Sequence, residues 1–350
     1  MAGNPDKKVT AKTIVIAIGT RPSYGDVKGA EEFAITSDDL FWLNESPGKT
    51  LVVGASYVAL ECAGFLKNLG CDITLMVRSI FLRGYDQEMA ERVGSYMETH
   101  GTKIYRPAIP LELSKSSSGK INVRYKQTAD NVEKTEEFDT VLFAIGRSPR
   151  TEDLNLEKAG VTLAKNKKII TNQYEQTEAS NIYAIGDVAF GRPELTPVAI
   201  MAGRLLARRL IGSSTKLMDY SIIPSCVYTP LEYGFCGFTE DGAKEKYGKE
   251  QIVVYHSAFK PLEWNFLQSR EAEACYIKLI VEKVTDKILG YHYLGPNAGE
   301  VVQGYATALM MGATKEQWDS TLKIHPTCSE EVLGLHIVKG SGKSAVKTGC

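Results

Sequence analysis

Three groups of residues carry chemistry by type and spacing. In the first, Leu51-Val52-Val53-Gly54-Ala55-Ser56-Tyr57-Val58-Ala59 has small residues at 54, 56 and 59, the spacing at which a strand turns into a helix over a dinucleotide pyrophosphate. Ala59 suffices where only close helix–strand packing is needed. Ser56 departs from glycine where backbone and phosphate approach, and its hydroxyl could donate a hydrogen bond. The next strand ends at Arg78, with Arg83 shortly after. A ribose 2′-hydroxyl would call for a carboxylate there, whereas two guanidiniums suit a 2′-phosphate, so NADPH is favoured over NADH. A tight turn with two solvated arginines remains the alternative. In the second group, Asn181-Ile-Tyr-Ala-Ile-Gly186-Asp187 sets a carboxylate just past an apolar strand, where it suits a hydroxyl-rich partner or a helix cap. In the third, His325 precedes Glu330 by five residues. An imidazole titrates near neutrality and an adjacent carboxylate orients it for proton transfer; a histidine before a proline can also be only a turn residue.

The elements that must position these groups are legible as hydrophobic patterns. Thr13–Gly19 is a continuous apolar run ending in glycine, as a buried parallel strand would be. Thr50–Val53, a helix over Tyr57–Leu69 closed by Gly70, and the strand Asp72–Val77 form a βαβ unit. Met89, Val93 and Met97 recur every fourth residue and predict an amphipathic helix over Asp86–His100. Ile121–Gln127 and Thr140–Gly146 read as strands around a loop tip at Ser114–Lys120. Thr196 with Pro197 predicts a helix start, threonine capping and proline in the first turn, running to about Ile211. From Tyr220 the pattern becomes β-rich (Ser225–Tyr228, Ile252–His256, Ala274–Val281, Ile288–Leu294), followed by helices near Ala298–Met311 and Glu330–Ile337. The closing Lys339–Cys350 stretch, rich in Gly, Ser and Lys, reads as mobile.

Composition excludes several classes. A chain of 350 residues exceeds a single compact core. A net charge of −1 argues against nucleic-acid binding, and no apolar run reaches the roughly 18 residues a membrane span needs. Seven scattered cysteines, without C-x-x-C or a His/Cys ligand set, argue against both a disulfide scaffold and a metal site. A reducing compartment fits, the cytoplasm or, for an isoform, the mitochondrion. Six of the cysteines read as buried small hydrophobes; Cys350 stands apart.

These residues resemble the pyridine nucleotide–disulfide oxidoreductases over essentially the whole chain from Thr13. Ile16-Ala-Ile-Gly19-Thr20-Arg21-Pro22 is similar to that family's A-T-G-x-R-P segment, and Val141-Leu-Phe-Ala-Ile145-Gly146-Arg147 repeats the strand-to-glycine form. Thr177-x5-Tyr183-Ala-Ile-Gly186-Asp187 is similar to the second flavin motif, and His325-Pro-Thr-Cys-Ser-Glu330 to the C-terminal H-P-x-x-x-E. The resemblance implies an α/β flavoprotein of glutathione reductase type, with two dinucleotide-binding domains and an α+β dimerisation domain. Its expected divisions are 1–45 and 149–217 for FAD, 46–148 for NADPH, 218–338 for the interface and 339–350 for a redox tail. It implies nucleotide contacts at Gly54, Ala55, Ser56, Tyr57, Val58, Glu61, Arg78, Arg83, Ile145, Gly146 and Arg147. Flavin contacts would be Gly19, Thr20, Gly186, Asp187, Glu194, Leu195, Thr196, Pro197, Val198 and the partner's counterpart of His325, with Pro326 cis. His325, Glu330 and Cys350 would be catalytic.

Within that family, Gly54-Ala-Ser-Tyr-Val-Ala-Leu-Glu-Cys62, Pro261-Leu-Glu-Trp264 and the ending Gly349-Cys350 look like animal-type thioredoxin reductases, leaning toward the fused thioredoxin glutathione reductases of flatworms. That implies a homodimer passing electrons from NADPH through FAD and a dithiol to a C-terminal Cys, followed in such enzymes by selenocysteine. Thioredoxin would be the acceptor, and glutathione disulfide where a glutaredoxin domain is fused. The first G-x-G-x-x-G and the C-x4-C dithiol of that family are not found in this sequence. The expectation is therefore a chain lacking the N-terminal part, with weak FAD retention and little disulfide reduction alone. A glutathione reductase-like enzyme or a non-catalytic nucleotide-binding and dimerisation module are the rivals.

Overall fold

A computed structural model describes residues 8–267 and 274–347. The chain forms two compact units: Met1–Ser23 with Gly146–Tyr220, and Tyr24–Ile145 with Ser221–Cys350. The segment after Ser23 joins the second unit. Ile35 extends its parallel sheet by bridging Leu142, with Ile35 N–H donating to Val141 and Phe143 N–H donating back to Ile35.

In that larger unit, four parallel strands run in the order Lys103–Tyr105, Ile73–Met76, Thr50–Val53, Thr140–Phe143. Every residue of the Thr50 and Ile73 strands is buried, which is why they read as unbroken apolar runs rather than alternations. The helix Tyr57–Asn68 buries Ala59, Leu60, Ala63 and Leu66, each leucine contributing about 2 kcal/mol. Gly64 lets it close on Pro230, whose Cδ would lie 2.6 Å from an added Cβ. An antiparallel sheet of Ala108–Lys115, Ile121–Gln127 and Val132–Phe138 follows; only its middle strand is evident from the apolar pattern, since the last is largely charged and exposed.

A five-stranded antiparallel sheet, ordered Ser225–Val227, Tyr233–Gly237, Ile288–Leu294, Cys275–Glu282 and Ile252–Phe259, carries the helix Ala298–Met310. The helix expected over Glu330–Ile337 is a single 3-10 turn, Ser329–Val332. Beyond it the chain becomes an edge of this sheet. Val338 bridges Tyr255 and Val346 bridges Ala258, with Lys339 N–H donating to Val254 and Lys347 N–H to Ala258. The part of the tail through Lys347 is thus held in place, against the mobility its composition suggests: backbone pairing is open to Gly, Ser and Lys as to any residue with an N–H. Cys350 lies outside the described residues.

The smaller unit pairs Ile14–Ile16 in parallel with Ile182–Ala184, and Arg21–Pro22 antiparallel with Arg147–Ser148. The helix Thr196–Ile211 belongs to it. Here the expected buried strand is only partly so. Ile14 and Val15 are 43% and 44% exposed while Ile16 is buried, because among the described residues this strand has one neighbour. No described helix is long and apolar enough to cross a membrane.

Candidate functional site

The Gly54 turn is built by the sheet itself. Gly54 has φ +138°, and a Cβ there would meet the Ala144 carbonyl oxygen at 2.3 Å, so neither the conformation nor the space admits a side chain. The following helix starts at Tyr57 with Ser56 in the cap position, yet the Ser56 side chain does not cap it. Its hydroxyl donates instead to the Ala144 carbonyl, 3.2 Å away. That bond ties the turn to the neighbouring strand. The first-turn N–H of Val58 has no intrahelical acceptor, which suits the helix start to an anion.

Arg78 and Arg83 are both exposed. Their loop is clipped to the glycine turn by Leu82 N–H donating to Ala55 O at 2.8 Å. Arg83 donates to Ser79 Oγ at 2.8 Å. A third arginine, not singled out by sequence, supports the loop: Arg106 Nε donates to the Ser79 carbonyl, and its two terminal nitrogens grip the Glu91 carboxylate at 2.7 and 2.8 Å. Only its distance in sequence hid it. Glu61, in the same helix, accepts from Tyr228 N–H at 2.8 Å; burial raises its pKa, against the lowering effect of that bond. Ile145 is 44% exposed at the end of the Thr140 strand. This donor set, with a helix start that no side chain caps and two exposed guanidiniums on one loop, fits a phosphate-bearing nucleotide.

Gly146 and Arg147 go with the other unit. There Arg147 Nε donates to Thr20 Oγ1 at 3.0 Å and a terminal nitrogen donates to Thr20 O at 2.8 Å. Thr20 Oγ1 lies 3.4 Å from Asp187 Oδ2. Gly19 and Gly186 hold positive φ, +62° and +72°, placing Thr20 and Asp187 directly after two left-handed turns. Asp187 is half-buried. Thr196 does not cap the helix as expected; it is its first residue, and the cap position falls to Leu195, which has no side chain able to accept. Pro197 has no N–H to satisfy, and the amides of Thr196 and Val198 are left without intrahelical acceptors. Glu194 turns to Lys168, whose Nζ donates at 2.6 Å. A carboxylate with one oxygen uncommitted among the described residues, beside an uncapped helix start in the same unit, fits a ligand bearing both hydroxyls and ring acceptors.

The third group is a corner on the larger unit. His325 Nδ1 lies 3.0 Å from Glu330 Oε1. The same carboxylate oxygen accepts Thr327 N–H at 3.1 Å, and Thr327 Oγ1 accepts Glu330 N–H at 3.1 Å. The His325–Pro326 bond is cis, as the resemblance implies. The three-residue knot holds Glu330 where it can orient the ring. Burial opposes its ionisation, but the Thr327 amide and His325 outweigh this and hold its pKa below the ordinary value. A carboxylate can only accept, so Nδ1 carries the proton and Nε2 keeps a lone pair free to take another. The imidazole is 62% exposed at a cavity of about 240 Å³ walled by Phe259, Pro261, Leu262 and Phe266.

Residues 2–203 match the model of the pyridine nucleotide-disulphide oxidoreductases, and residues 223–336 match the dimerisation domain of the same group. The chain belongs to the pyridine nucleotide-disulphide oxidoreductase family. It therefore has the glutathione reductase-type fold and is an oxidoreductase of the flavoprotein disulfide reductase kind, whose members bind FAD and a pyridine nucleotide.

The thiols place a further limit on the chemistry. Burial pushes Cys62 and Cys236 up to about 11 and Cys226 up to about 12, and raises Cys328 despite its hydrogen bond with Tyr293. None of these four is a thiolate near neutral pH. The expectation of six buried cysteines holds in full for Cys62, Cys236 and Cys275, while Cys71, Cys226 and Cys328 are only partly buried.

Proposed function

We propose that this protein is an NADPH-dependent disulfide reductase of thioredoxin reductase or thioredoxin glutathione reductase type, working as a homodimer in a reducing compartment such as the cytoplasm. The observation that carries the nucleotide choice is the Arg78–Arg83 loop, with both arginines exposed, hydrogen-bonded to the Gly54 turn and free of acidic residues from 78 to 83. Two guanidiniums there would bind the 2′-phosphate that separates NADPH from NADH. Gly54, Ala55, Ser56, Tyr57 and Val58 would hold the pyrophosphate through backbone amides, and Glu61 would sit toward the nicotinamide. Gly19, Thr20, Gly186, Asp187 and the residues 194–198 would hold FAD. When bound, FAD supplies the two-electron chemistry that couples a reduced nicotinamide to a disulfide.

The chain's own residues then bind, orient and move a proton. His325, with Nδ1 on Glu330, would take the thiol proton at Nε2. Met310, Met311, Leu322 and Ile324 stand 64%, 83%, 94% and 78% exposed on the stretch leading to His325. An apolar approach to the histidine supports its delivery across a subunit interface. Cys350 would serve the tail's redox step, to thioredoxin or to glutathione disulfide. The raised thiols of Cys62, Cys226, Cys236 and Cys328 favour, for this chain alone, the second reading of a nucleotide-binding and dimerisation module.

The test is a titration of the full-length protein with NADPH, following the flavin's visible band, then turnover with thioredoxin and with glutathione disulfide. Bleaching and thioredoxin reduction are expected. In Arg78→Ala/Arg83→Ala the NADPH KM should rise on the order of 100-fold, from the loss of charge-assisted bonds, with the NADH KM little changed. Equal effects on both nucleotides would remove the 2′-phosphate argument; a colourless protein that still dimerises would establish the module.

A further inference from the structure

The smaller unit contains a directional chain of hydrogen bonds that none of the motifs predicts. Arg147 follows a strand-to-glycine segment, so its sequence position reads as part of a nucleotide site. Its guanidinium instead donates twice to one buried residue: Nε to Thr20 Oγ1 at 3.0 Å and a terminal nitrogen to Thr20 O at 2.8 Å. Thr20 is 6% exposed. A guanidinium has no acceptor, so Thr20 Oγ1 must accept from Arg147, and its own proton must point elsewhere. The oxygen in reach is Asp187 Oδ2 at 3.4 Å, a long bond compared with the two from arginine.

Geometry reinforces the direction. Arg147 is locked at the backbone as well, because Arg147–Ser148 pairs antiparallel with Arg21–Pro22, directly after Thr20. Ser23 N–H closes this ribbon on Gly146 O at 3.1 Å. Asp187 sits in the turn Gly186–Val188, after the strand Ile182–Ala184 that pairs with Ile14–Ile16. Two strands and a two-rung ribbon thus fix the ends of the chain, and Thr20 spans them. One carboxylate oxygen of Asp187 faces this chain, and the other takes no hydrogen bond among the described residues.

We propose that Arg147 is a positioning residue for Asp187: acting through Thr20, it occupies one carboxylate oxygen and leaves the other to accept a hydroxyl of the flavin's polyol chain. The proposal rests on the reading of Asp187 as a flavin-side carboxylate. It assigns Arg147 to flavin binding and removes it from the nucleotide contacts. The interposed threonine keeps the guanidinium from forming a direct ion pair that would consume both carboxylate oxygens. The arginine rather than a lysine suits this role because Nε and a terminal nitrogen reach the hydroxyl and the carbonyl of one residue together.

The experiment is fluorescence titration of the full chain with FAD, beside the NADPH KM of the flavin-loaded protein, for wild type, Arg147→Ala, Arg147→Lys, Thr20→Val, Asp187→Asn and Arg147→Ala/Asp187→Asn. Arg147→Ala and Thr20→Val should each weaken FAD binding on the order of 10-fold, as expected for one charge-assisted bond, with partial rescue in Arg147→Lys. The NADPH KM should stay within about 2-fold, and Arg147→Ala should add little once Asp187 is Asn. An increased NADPH KM with unchanged FAD affinity would return Arg147 to the nucleotide site and overturn the proposal. So would full additivity in the double variant, which is what a merely structural arginine would give. If Asp187→Asn binds FAD like wild type, or wild type does not bind it, the underlying site reading fails; if Asp187→Asn loses FAD while both arginine variants keep it, this proposal alone fails.

Discussion

The turns at Gly54 and Gly186 solve the same problem, a strand passing into a ligand-facing segment through a positive-φ glycine, with different supports. At Gly54 the strand is wholly buried between two parallel neighbours, and the nearest obstacle to a side chain is backbone, the Ala144 carbonyl at 2.3 Å. At Gly186 the strand has one described neighbour, half-exposed, and the nearest obstacle is another side chain, Ala199 Cβ at 3.2 Å. The first turn is held by the sheet; at the second, Asp187, the residue after the glycine, is reached through Thr20 by Arg147 from elsewhere in the sequence. A backbone-built site is announced by a local motif. A side-chain-built one is spread over positions 20, 147 and 187, and no local pattern links them.

The larger unit's firmness has a second source. Lys278, 1% exposed, lies 2.8 Å from both Asp86 and Glu88 and 3.0 Å from Glu240, and Lys339 joins Glu88 and Glu240 at 2.8 and 2.7 Å. Lys278→Met would leave buried carboxylates without their central partner and should cost about 3–5 kcal/mol, read as a fall in the chemical-denaturation midpoint. A loss below about 1 kcal/mol would show the cluster to be hydrated. The cluster also sets a pH dependence. Burial works against ionisation of Glu240, but bonds from Lys244, Lys339 and Lys278 outweigh it and bring its pKa from 4.5 down to about 2. A depressed carboxylate contributes stability that is fully present above its unfolded pKa and lost as pH falls through the folded one. The midpoint should therefore decline as pH falls from 4.5 toward 2, and decline less in Glu240→Gln.

The glycine pair tests the comparison directly. Gly54→Ala forces both a disfavoured φ and a backbone clash that no rotamer relieves, and should cost about 3 kcal/mol with loss of nucleotide binding. Gly186→Ala meets only a methyl group that a few tenths of an ångström would clear, so the cost should be about 1–2 kcal/mol, chiefly from φ. Thermal melts of the two variants in one buffer decide it; equal losses would mean that the two turns are equally rigid.

What the sequence discloses follows the same division. The Thr50 strand, the Tyr57 helix, Asp187 and the His325–Glu330 pair are legible because period, glycine and short spacing are local signals. The Arg106–Glu91 clamp beneath the Arg78 loop and the Arg147–Thr20 link are not, since they join residues far apart in sequence. Thr196 misleads for a local reason: threonine followed by proline is a good helix start, and here it is the first helical residue while Leu195 takes the cap. The tail misleads because Gly, Ser and Lys set side-chain chemistry, whereas its order comes from backbone pairing along the Ile252 strand.

The smallest expected effect concerns that tail, and it separates two fastenings. Lys339 is tied by two carboxylates and Lys347 by one, Glu331 at 2.6 Å, the two lysine side chains being similarly exposed at 33% and 36%. A single, partly exposed pair contributes a few tenths to about 1 kcal/mol and is screened by salt. Glu331→Gln should leave the global melt unchanged and speed amide exchange at 345–347 only a few-fold, an effect that fades in high salt. Lys339→Met should speed exchange through the whole segment from 338, since Val254 and Ala258 would then hold a segment that has lost both of its carboxylate anchors. The two variants act on one segment and differ in the number of ion pairs they remove, two at Lys339 and one at Lys347. If Glu331→Gln frees the segment as far as Lys339→Met does, the Lys347 end carries the attachment, and the buried cluster serves the sheet rather than the tail.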